Sequence, residues 1–579
     1  MKTHHNNALT INDVGQRVKL QGFVSKRRDL GNLVFIDLRD QEGLTQLAFD
    51  ADNDLKNIAA ALKSEYVLEA EGTVRERSAK NPDLKTGAIE IDVDRLKVLN
   101  TAKQPPIYIK DDTDALEETR LKYRYLDLRR PHLQKLLTLR HKMMQSVRTF
   151  LNNERFLEIE TPILTKSTPE GARDYIVPSR IHKDEFYALP QSPQIFKQLL
   201  VIAGFERYYQ IAKCFRDEDL RSDRQPEFTQ IDMEMGFTNQ DEVLDVSERL
   251  IKHVMHAITG KTYDKPFPRL AYQKAMELYG TDKPDTRFEM TLKPFTDLLV
   301  NTEFKVFQSV IDNGGSIQGI TVKDGANQLS RKMIDQLTEA IKPYGAKGLA
   351  FLKLGDTASG PLAKFLSEEE QAAIIKRAEA TQGDTILVVA DKLSVVRASL
   401  AFLRNHIASK LNLIDDDMYD FTWITDWPMF EYDEESARYN ALHHPFTKVQ
   451  DAYKASMKEA PEKALAYAYD LVVQGQELGG GSMRIHEPYL QKDVFEILQI
   501  DAKAQREKFG FLLDALDYGA PPHGGIAFGF DRFVMLLGKT KNIRDVIAFP
   551  KTASAQCLMT DAPSPIDKEQ RETLGLKKS

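Results

Sequence analysis

Gly524-Gly-Ile-Ala-Phe-Gly-Phe-Asp-Arg-Phe-Val-Met-Leu-Leu537 sets a glycine-rich run before an apolar one that is broken only by Asp531 and Arg532. Glycines in a strand allow close approach to the backbone, and the apolar run that follows suits a buried helix opened by Arg532. Alone, the stretch is equally a plain strand and helix with one charged pair. Upstream, Phe215-Arg-Asp-Glu218, a polar loop from Asp219 to Gln225, and Pro226-Glu-Phe-Thr-Gln-Ile-Asp-Met-Glu234 read as strand, loop, strand. Arg216 presents a planar fork of donors that matches a phosphate and can counter charge developing on it, and Phe228 offers a ring for a base. Further upstream, Phe156-Leu-Glu-Ile-Glu-Thr-Pro-Ile-Leu164 is an apolar strand whose Pro162 marks an edge or a bulge. It follows a helix that Pro131 would open, with Leu133, Leu136, Leu137, Met143, Met144, Val147, Phe150 and Leu151 near helical spacing.

Outside these stretches, Val18 to about Val98 holds five short β-rich runs separated by Gly and charged turns, the pattern of a small barrel of the oligonucleotide-binding type. Gln104-Pro-Pro106 and the acidic stretch to Glu118 read as a linker. The 579 residues exceed what one core organises and predict three or four domains. Cys214 and Cys557 are too few for a disulfide framework or a zinc cluster, which favours a reducing, cytoplasmic compartment. Met1 to Gly22 lacks an apolar run with a cleavage site, and no stretch approaches the roughly 20 apolar residues of a membrane span. Secretion and membrane insertion are therefore not expected. A net charge of -7 argues against a uniformly basic nucleic-acid coat, although Lys26-Arg27-Arg28 and the run from Arg120 to Arg130 concentrate basic groups locally.

In their order along the chain the three stretches resemble the three motifs of the class II aminoacyl-tRNA synthetases. The segments between them, Thr168-Pro-Glu-Gly-Ala-Arg-Asp-Tyr175, Gln191-Ser-Pro-Gln-Ile-Phe-Lys197, His443-His-Pro-Phe-Thr447 and Gly479-Gly-Gly-Ser-Met-Arg-Ile-His486, resemble the aspartyl family in its bacterial form. The resemblance implies an α+β multidomain protein. An OB-type β-barrel at 1–104 would read the anticodon, and 105–134 would be a hinge. An antiparallel-sheet catalytic domain at 135–286 and 414–555 would be interrupted by an inserted α/β domain at 287–413, with a C-terminal extension at 556–579.

The resemblance further implies that Glu170, Gln194, Lys197, Arg216, His443 and Arg484 contact aspartate. It places Arg216, Asp217, Glu218, Gln225, Phe228, Glu477, Gly529, Phe530, Asp531 and Arg532 around ATP, with Arg216 and Arg532 as the catalytic groups. Asp470 and Glu477 flank Gly475 in an expected hairpin and are candidates to carry Mg2+, or else are two solvated acids. Ser192 can cap a helix with Pro193 first, which puts Gln194 and Lys197 on one face. Arg484 follows a glycine run expected to leave room for a substrate, and its fork suits a carboxylate, with Lys197 as a second cation. The alternative is that Arg484 pairs with a structural acid. In the barrel, Phe35 is the stacking candidate, with Arg28 and Gln46 as polar partners, or else a core residue.

The implied reaction makes aspartyl-adenylate and pyrophosphate from aspartate and ATP, then charges tRNA-Asp. The substrate carboxylate is itself the nucleophile, so no Ser, Cys or His nucleophile is required. Leu30, in Arg28-Asp-Leu-Gly31, favours an enzyme confined to tRNA-Asp. A homodimer held at the strand around Pro162 is expected. Deletion of the 287–413 insertion, which holds no candidate site residue, is expected to leave some adenylate formation. Rival readings are an asparaginyl or lysyl enzyme, a noncatalytic tRNA-binding paralogue and an amide-forming ligase on the same fold; the intact Arg216, Glu218, Phe228 and Arg532 speak against the paralogue.

Overall fold

The computed structural model describes residues 1–168 and 171–576. The five N-terminal runs fold as β1 (Arg17–Asp29), β2 (Val34–Arg39), β3 (Leu44–Phe49), β4 (Val67–Glu76) and β5 (Ile89–Asn100), closed into a barrel in the order β1-β2-β3-β5-β4. Period-two alternation decides what each strand buries. Val34, Ile36 and Leu38 join Leu20, Leu47, Leu68 and Ile91 in the barrel core, whereas Phe35 and Asp37 between them are only partly covered. β1 runs on through Lys26-Arg27-Arg28, whose pairing with β2 ends on Arg28 opposite Phe35 and Asp29 opposite Val34.

Pro131 stands in the first turn of the helix Pro131–Asn153, which buries Leu133, Leu136, Met143, Val147 and Leu151. This helix packs with the helices Gln240–Thr259 and Phe530–Gly538. The apolar face of an eight-stranded sheet completes their core, with Ile231, Met233, Leu471, Ile526 and Phe528 as sheet members. In spatial order the strands are Arg269–Ala271, Phe421–Thr425, Ala468–Val473, Gln476–Met483, His523–Gly529, Glu227–Gly236, Arg207–Phe215 and Leu157–Glu158. The inner pairings are antiparallel, and only the two edge strands run parallel to their neighbours. Leu157–Glu158 is all that pairs of the stretch leading to Pro162, and Leu157, Ile163 and Leu164 stay exposed.

Residues of the 287–413 stretch build a second sheet, ordered Lys293–Pro294, Ser316–Val322, Thr385–Asp391, Ala350–Leu354, Ala358–Ser359. Its strands and helices alternate along the chain, yet every pairing is antiparallel. Thr385–Asp391 inserts between two strands that run the same way, Ser316–Val322 and Ala350–Leu354, so no hydrogen-bonded neighbours are parallel. The helix Leu393–Lys410 covers this sheet and returns the chain to the first one. Among the described residues no helix is long and apolar enough to cross a membrane.

Candidate active site

Alternation also builds the site. In Glu227–Gly236, Ile231, Met233 and Met235 enter the core, leaving Phe228, Gln230, Asp232 and Glu234 on the other face. The Arg216 guanidinium lies 5.1 Å from the centroid of the Phe228 ring. Both line a cavity of about 480 Å3 together with Lys283, Glu477, Gly529 and Arg532. The Nε atoms of Arg216 and Arg532 are buried without a hydrogen-bond partner. Arg532 is aimed by the chain itself: Nη1 donates to the Glu477 carbonyl at 2.6 Å and Nη2 to Asp223 at 3.3 Å.

Other expected ATP residues line or border this cavity with their side chains engaged. Glu218 pairs with Arg224 at 3.0 Å and Asp217 with Arg173 at 3.6 Å. The Gln225 amide donates to the Lys551 carbonyl at 3.0 Å and accepts from the Lys551 N–H at 2.7 Å. Asp531 accepts from Arg140 and, at 2.7 Å, from the Thr229 N–H, so it ties the helix Phe530–Gly538 to the strand. Phe530 requires a correction. As the first residue of that helix it turns to the apolar side of the sheet, fully buried in the core beneath the Arg140 guanidinium.

Further along the same strand four charges meet almost out of solvent. Lys197 Nζ lies 2.7 Å from Asp232 Oδ1 and 3.3 Å from Glu234 Oε2. Arg484 donates from Nε to Glu234 Oε1 at 2.9 Å and from Nη2 to Oε2 at 3.1 Å, while Nη1 reaches Ser482 Oγ and His444 Nε2, each at 2.6 Å. Burial pushes the Asp232 carboxyl up, only partly opposed by Lys197. Burial acts the same way on Glu234, but Arg484 and Lys197 outweigh it and hold that group below the usual carboxylate range. Burial, aided by Arg484, holds His444 well below its ordinary value, so it accepts from Arg484 as a neutral ring.

Arg484 does pair with an acid of the protein, Glu234, and so does Lys197. Lys197 and Arg484 are paired cations, as burial requires, since an uncompensated buried charge is strongly destabilising. Gly525 and Gly480 make room for the protein's own carboxylates, since a Cβ on Gly525 would fall 2.0 Å from Glu234 Oε2 and one on Gly480 2.6 Å from Asp470 Oδ1, whereas Gly479 lines the cavity. A bulge lies at Leu478, ahead of the glycines, where Leu471 pairs with Gly479 but Val472 with Glu477. The helix carrying Lys197 begins at Gln194, one residue later than expected, with the Gln194 N–H donating to Ser192 Oγ at 3.2 Å. Gln194 and Lys197 are both buried. His443 sets Nε2 3.6 Å from Asp470 Oδ1 and packs edge-on against Trp427. Glu170 lies outside the described residues.

Gln474 and Gly475, both at positive φ, make the tight turn that brings Asp470 and Glu477 to one face. Glu477 Oε1 lies 3.3 Å, and Asp470 Oδ1 2.6 Å, from the missing Cβ of Gly480, so the carboxylates converge. Burial, then the Glu477 charge, pushes Asp470 up to about 6. Two crowded hard-oxygen donors fit a magnesium ion that takes its remaining ligands from phosphates and water. Among the described residues no group of three or more His, Cys, Asp or Glu gathers to hold a metal.

In the barrel, Arg28 Nη2 donates to Asp37 at 2.9 Å and to Gln46 Oε1 at 2.7 Å, and its guanidinium lies 5.8 Å from the Phe35 ring centroid. Gln46 also accepts from Arg77 at 2.6 Å and donates to Glu90 at 2.6 Å. The sequence reading missed Arg77, Glu90, Asp232, Glu234, His444, Ser482 and Lys283. For Asp232 and Glu234 the signal was present, as polar residues alternating with Ile231, Met233 and Met235.

A cavity lined by arginine and aromatic side chains, set on an antiparallel sheet behind an oligonucleotide-binding barrel, is matched by known families. The chain belongs to the class II tRNA synthetases: residues 116–553 match the family described as tRNA synthetases class II (D, K and N), and residues 18–99 match the OB-fold nucleic acid binding domain. Over its whole length it is 55% identical to the aspartate-tRNA(Asp/Asn) ligase of Bacillus mycoides, covering 99% of that protein, and likewise to that of Bacillus cereus strain B4264, covering 99%. Within the class it is thus a member of the aspartate-tRNA ligases. Two solved structures share its fold at 18% identity: asparaginyl-tRNA synthetase from Pyrococcus horikoshii complexed with asparaginyl-adenylate (TM-score 0.58, 95% of this chain, 98% of that one) and aspartyl tRNA synthetase from Entamoeba histolytica (TM-score 0.59, 95% and 91%).

Proposed function

We propose that this chain activates L-aspartate with ATP as aspartyl-adenylate and transfers it to the terminal ribose hydroxyl of tRNA-Asp. This reading rests on the buried network of Lys197, Arg484, Asp232 and Glu234, whose two acids share the strand of Phe228 in the Arg216 cavity. In the first step an aspartate carboxylate oxygen bonds to the α-phosphorus and the bond to pyrophosphate breaks. Arg216 would bridge the α-phosphate and the attacking carboxylate, supplying charge where it develops. Phe228 and Arg532 would enclose the adenine. Asp470 and Glu477 would hold Mg2+, which neutralises the phosphates when bound.

Side-chain specificity rests on Arg484. Glu234 fixes one edge of its guanidinium, and the other edge meets only neutral acceptors, Ser482 and His444. A substrate carboxylate is a stronger partner than either, whereas an asparagine amide presents an NH2 to a donor. Glu170, Gln194 and His443 complete the proposed aspartate site. Asp217, Glu218, Gln225, Gly529 and Asp531 complete the proposed ATP site, the last two as framework.

The domain limits given above follow from this reading, with residues 1–104 taking the anticodon. A cytoplasmic location fits an enzyme of translation. Phe35 stays outside the barrel core, stacked near Arg28. Phe35→Ala is expected to raise KM for tRNA about tenfold, since one stacked base contributes about 1–3 kcal/mol, and to leave pyrophosphate exchange unchanged. Equal charging kinetics in a folded variant would remove Phe35 from the anticodon site.

Exposed Leu157, Ile163, Leu164 and Phe205 near the Leu157–Glu158 edge support a homodimer through that edge. Sedimentation at micromolar concentration is expected to give a dimer, and a fully active monomer would refute it. The Bacillus relatives are named for both tRNA-Asp and tRNA-Asn. In this chain Leu30 is 67% exposed at the β1–β2 turn and offers no side-chain hydrogen bond to a base edge, which supports restriction to tRNA-Asp. Aspartylation of purified tRNA-Asp and tRNA-Asn side by side tests the function. Charging of tRNA-Asp alone is expected; equal charging of both would overturn the restriction, and charging of neither would overturn the proposal.

A further inference from the structure

Between the two sheets the chain passes through Gly280 to Met290, and this connection reaches the nucleotide cavity. Lys283 lines the cavity and places Nζ 3.2 Å from Glu477 Oε2, on the carboxylate that also faces Asp470. Its position is not held by the catalytic sheet alone. The helix Leu393–Lys410 of the insertion lies against the connection, and its Arg404 is fully buried there. Both terminal nitrogens of Arg404 donate to the Asp285 carbonyl at 3.0 Å, and Nε donates to the Met290 carbonyl at 3.2 Å. The guanidinium also lies 4.3 Å from the Phe288 ring centroid and 4.8 Å from that of Tyr279.

The clamp continues on both sides. At Gly280, φ is +68° and a Cβ would fall 2.5 Å from the Arg397 carbonyl, so the helix backbone presses on the start of the connection. Where the connection passes the hairpin turn, Asp285 Cβ and the Lys283 carbonyl lie 3.5 and 3.8 Å from where a Cβ on Gly475 would stand. One rigid contact path therefore runs from the insertion, through Arg404 and the Asp285 carbonyl, to Lys283 and Glu477.

We propose that Lys283 is a further ATP-binding residue, pairing with Glu477 in the nucleotide-free protein and with the triphosphate when bound, and that Arg404 is the positioning residue that holds it there. The proposal rests on the ATP-site reading above. An ammonium group is a compact point charge suited to a mobile polyphosphate, and its flexible stem lets it move between two anionic partners. The same cation competes with a divalent ion for Glu477, so its removal has opposite consequences for the two ligands. The insertion, though it holds no residue lining the cavity, thereby acts on adenylate formation.

The test is equilibrium binding without aspartate. ATP binding is measured by calorimetry, and binding of Mn2+ alone by the loss of its free-ion paramagnetic signal. Lys283→Met is expected to weaken ATP about tenfold, the scale of one lost hydrogen bond between charged groups, and to bind Mn2+ more tightly than the unaltered protein. A residue that only supports the fold would weaken both. Arg404→Met is expected to weaken ATP in the same direction, with no further loss in the double variant because the two act through one contact path. Should Arg404→Met not fold, Arg404→Lys, which keeps the charge and loses the fork, is expected to show a smaller loss of the same kind. Unchanged ATP affinity in Lys283→Met, or Mn2+ affinity that falls with it, overturns the proposal, and additive losses overturn the role of Arg404. Failure of the unaltered protein to bind ATP would instead refute the ATP-site reading itself.

Discussion

Arg484→Leu is expected to abolish aspartate-dependent pyrophosphate exchange while ATP still binds. The guanidinium would give a substrate carboxylate two charge-assisted hydrogen bonds, each contributing about 1.5–3 kcal/mol, so the loss in kcat/KM for aspartate should exceed a hundredfold. The cavity proposed for ATP is lined by Arg216, Phe228 and Arg532 and not by Arg484. The buried pairing complicates a simple reading of the variant. Leucine leaves Glu234 with Lys197 alone, and breaking a buried pair is destabilising by about 3–5 kcal/mol. The double variant Arg484→Leu with Glu234→Gln removes the stranded charge and should recover much of the lost melting temperature without recovering aspartate activation. Near-normal KM for aspartate in either folded variant would show that other residues read the carboxylate.

Arg216→Ala should lower exchange by about a hundred- to a thousandfold, the range found when one donor to a developing oxyanion is removed. Arg216→Lys should recover little of it, because an ammonium group cannot bridge a phosphate and a carboxylate with a planar fork or stack on the Phe228 ring as the guanidinium does. Steady-state exchange with varied ATP and aspartate checks both, and the decrease should appear mainly in kcat. An Arg216→Ala variant that exchanges at the normal rate would remove this residue from the chemistry.

The barrel and the core of the catalytic sheet were legible because both depend on local alternation. Val34, Ile36 and Leu38 announce one buried face, and Ile231, Met233 and Met235 announce another. The charge network was not legible, because its partners are brought together by sheet order. Arg484 and Glu234 are 250 residues apart, and the strand His523–Gly529 lies between their strands. Gly525 pairs with Glu234 on one side and Ser482 on the other, and only its missing side chain lets the carboxylate sit there for the arginine to reach. Of the run Gly479 to Gly481, Gly479 lines the cavity and Gly480 leaves room for Asp470. Phe530 escaped for another reason: its direction depends on the angle at which the helix leaves the strand. Lys283 belongs to no motif, and its approach to Glu477 depends on a connection clamped by Arg404 from the insertion.

ATP-pyrophosphate exchange by the purified chain, with aspartate or asparagine as the only amino acid, decides whether this site selects and activates aspartate. Exchange that depends on L-aspartate, and that asparagine supports at less than about one hundredth of the rate, is the result this site predicts; folded protein that binds ATP yet shows no aspartate-dependent exchange, or exchanges equally with asparagine, would contradict it.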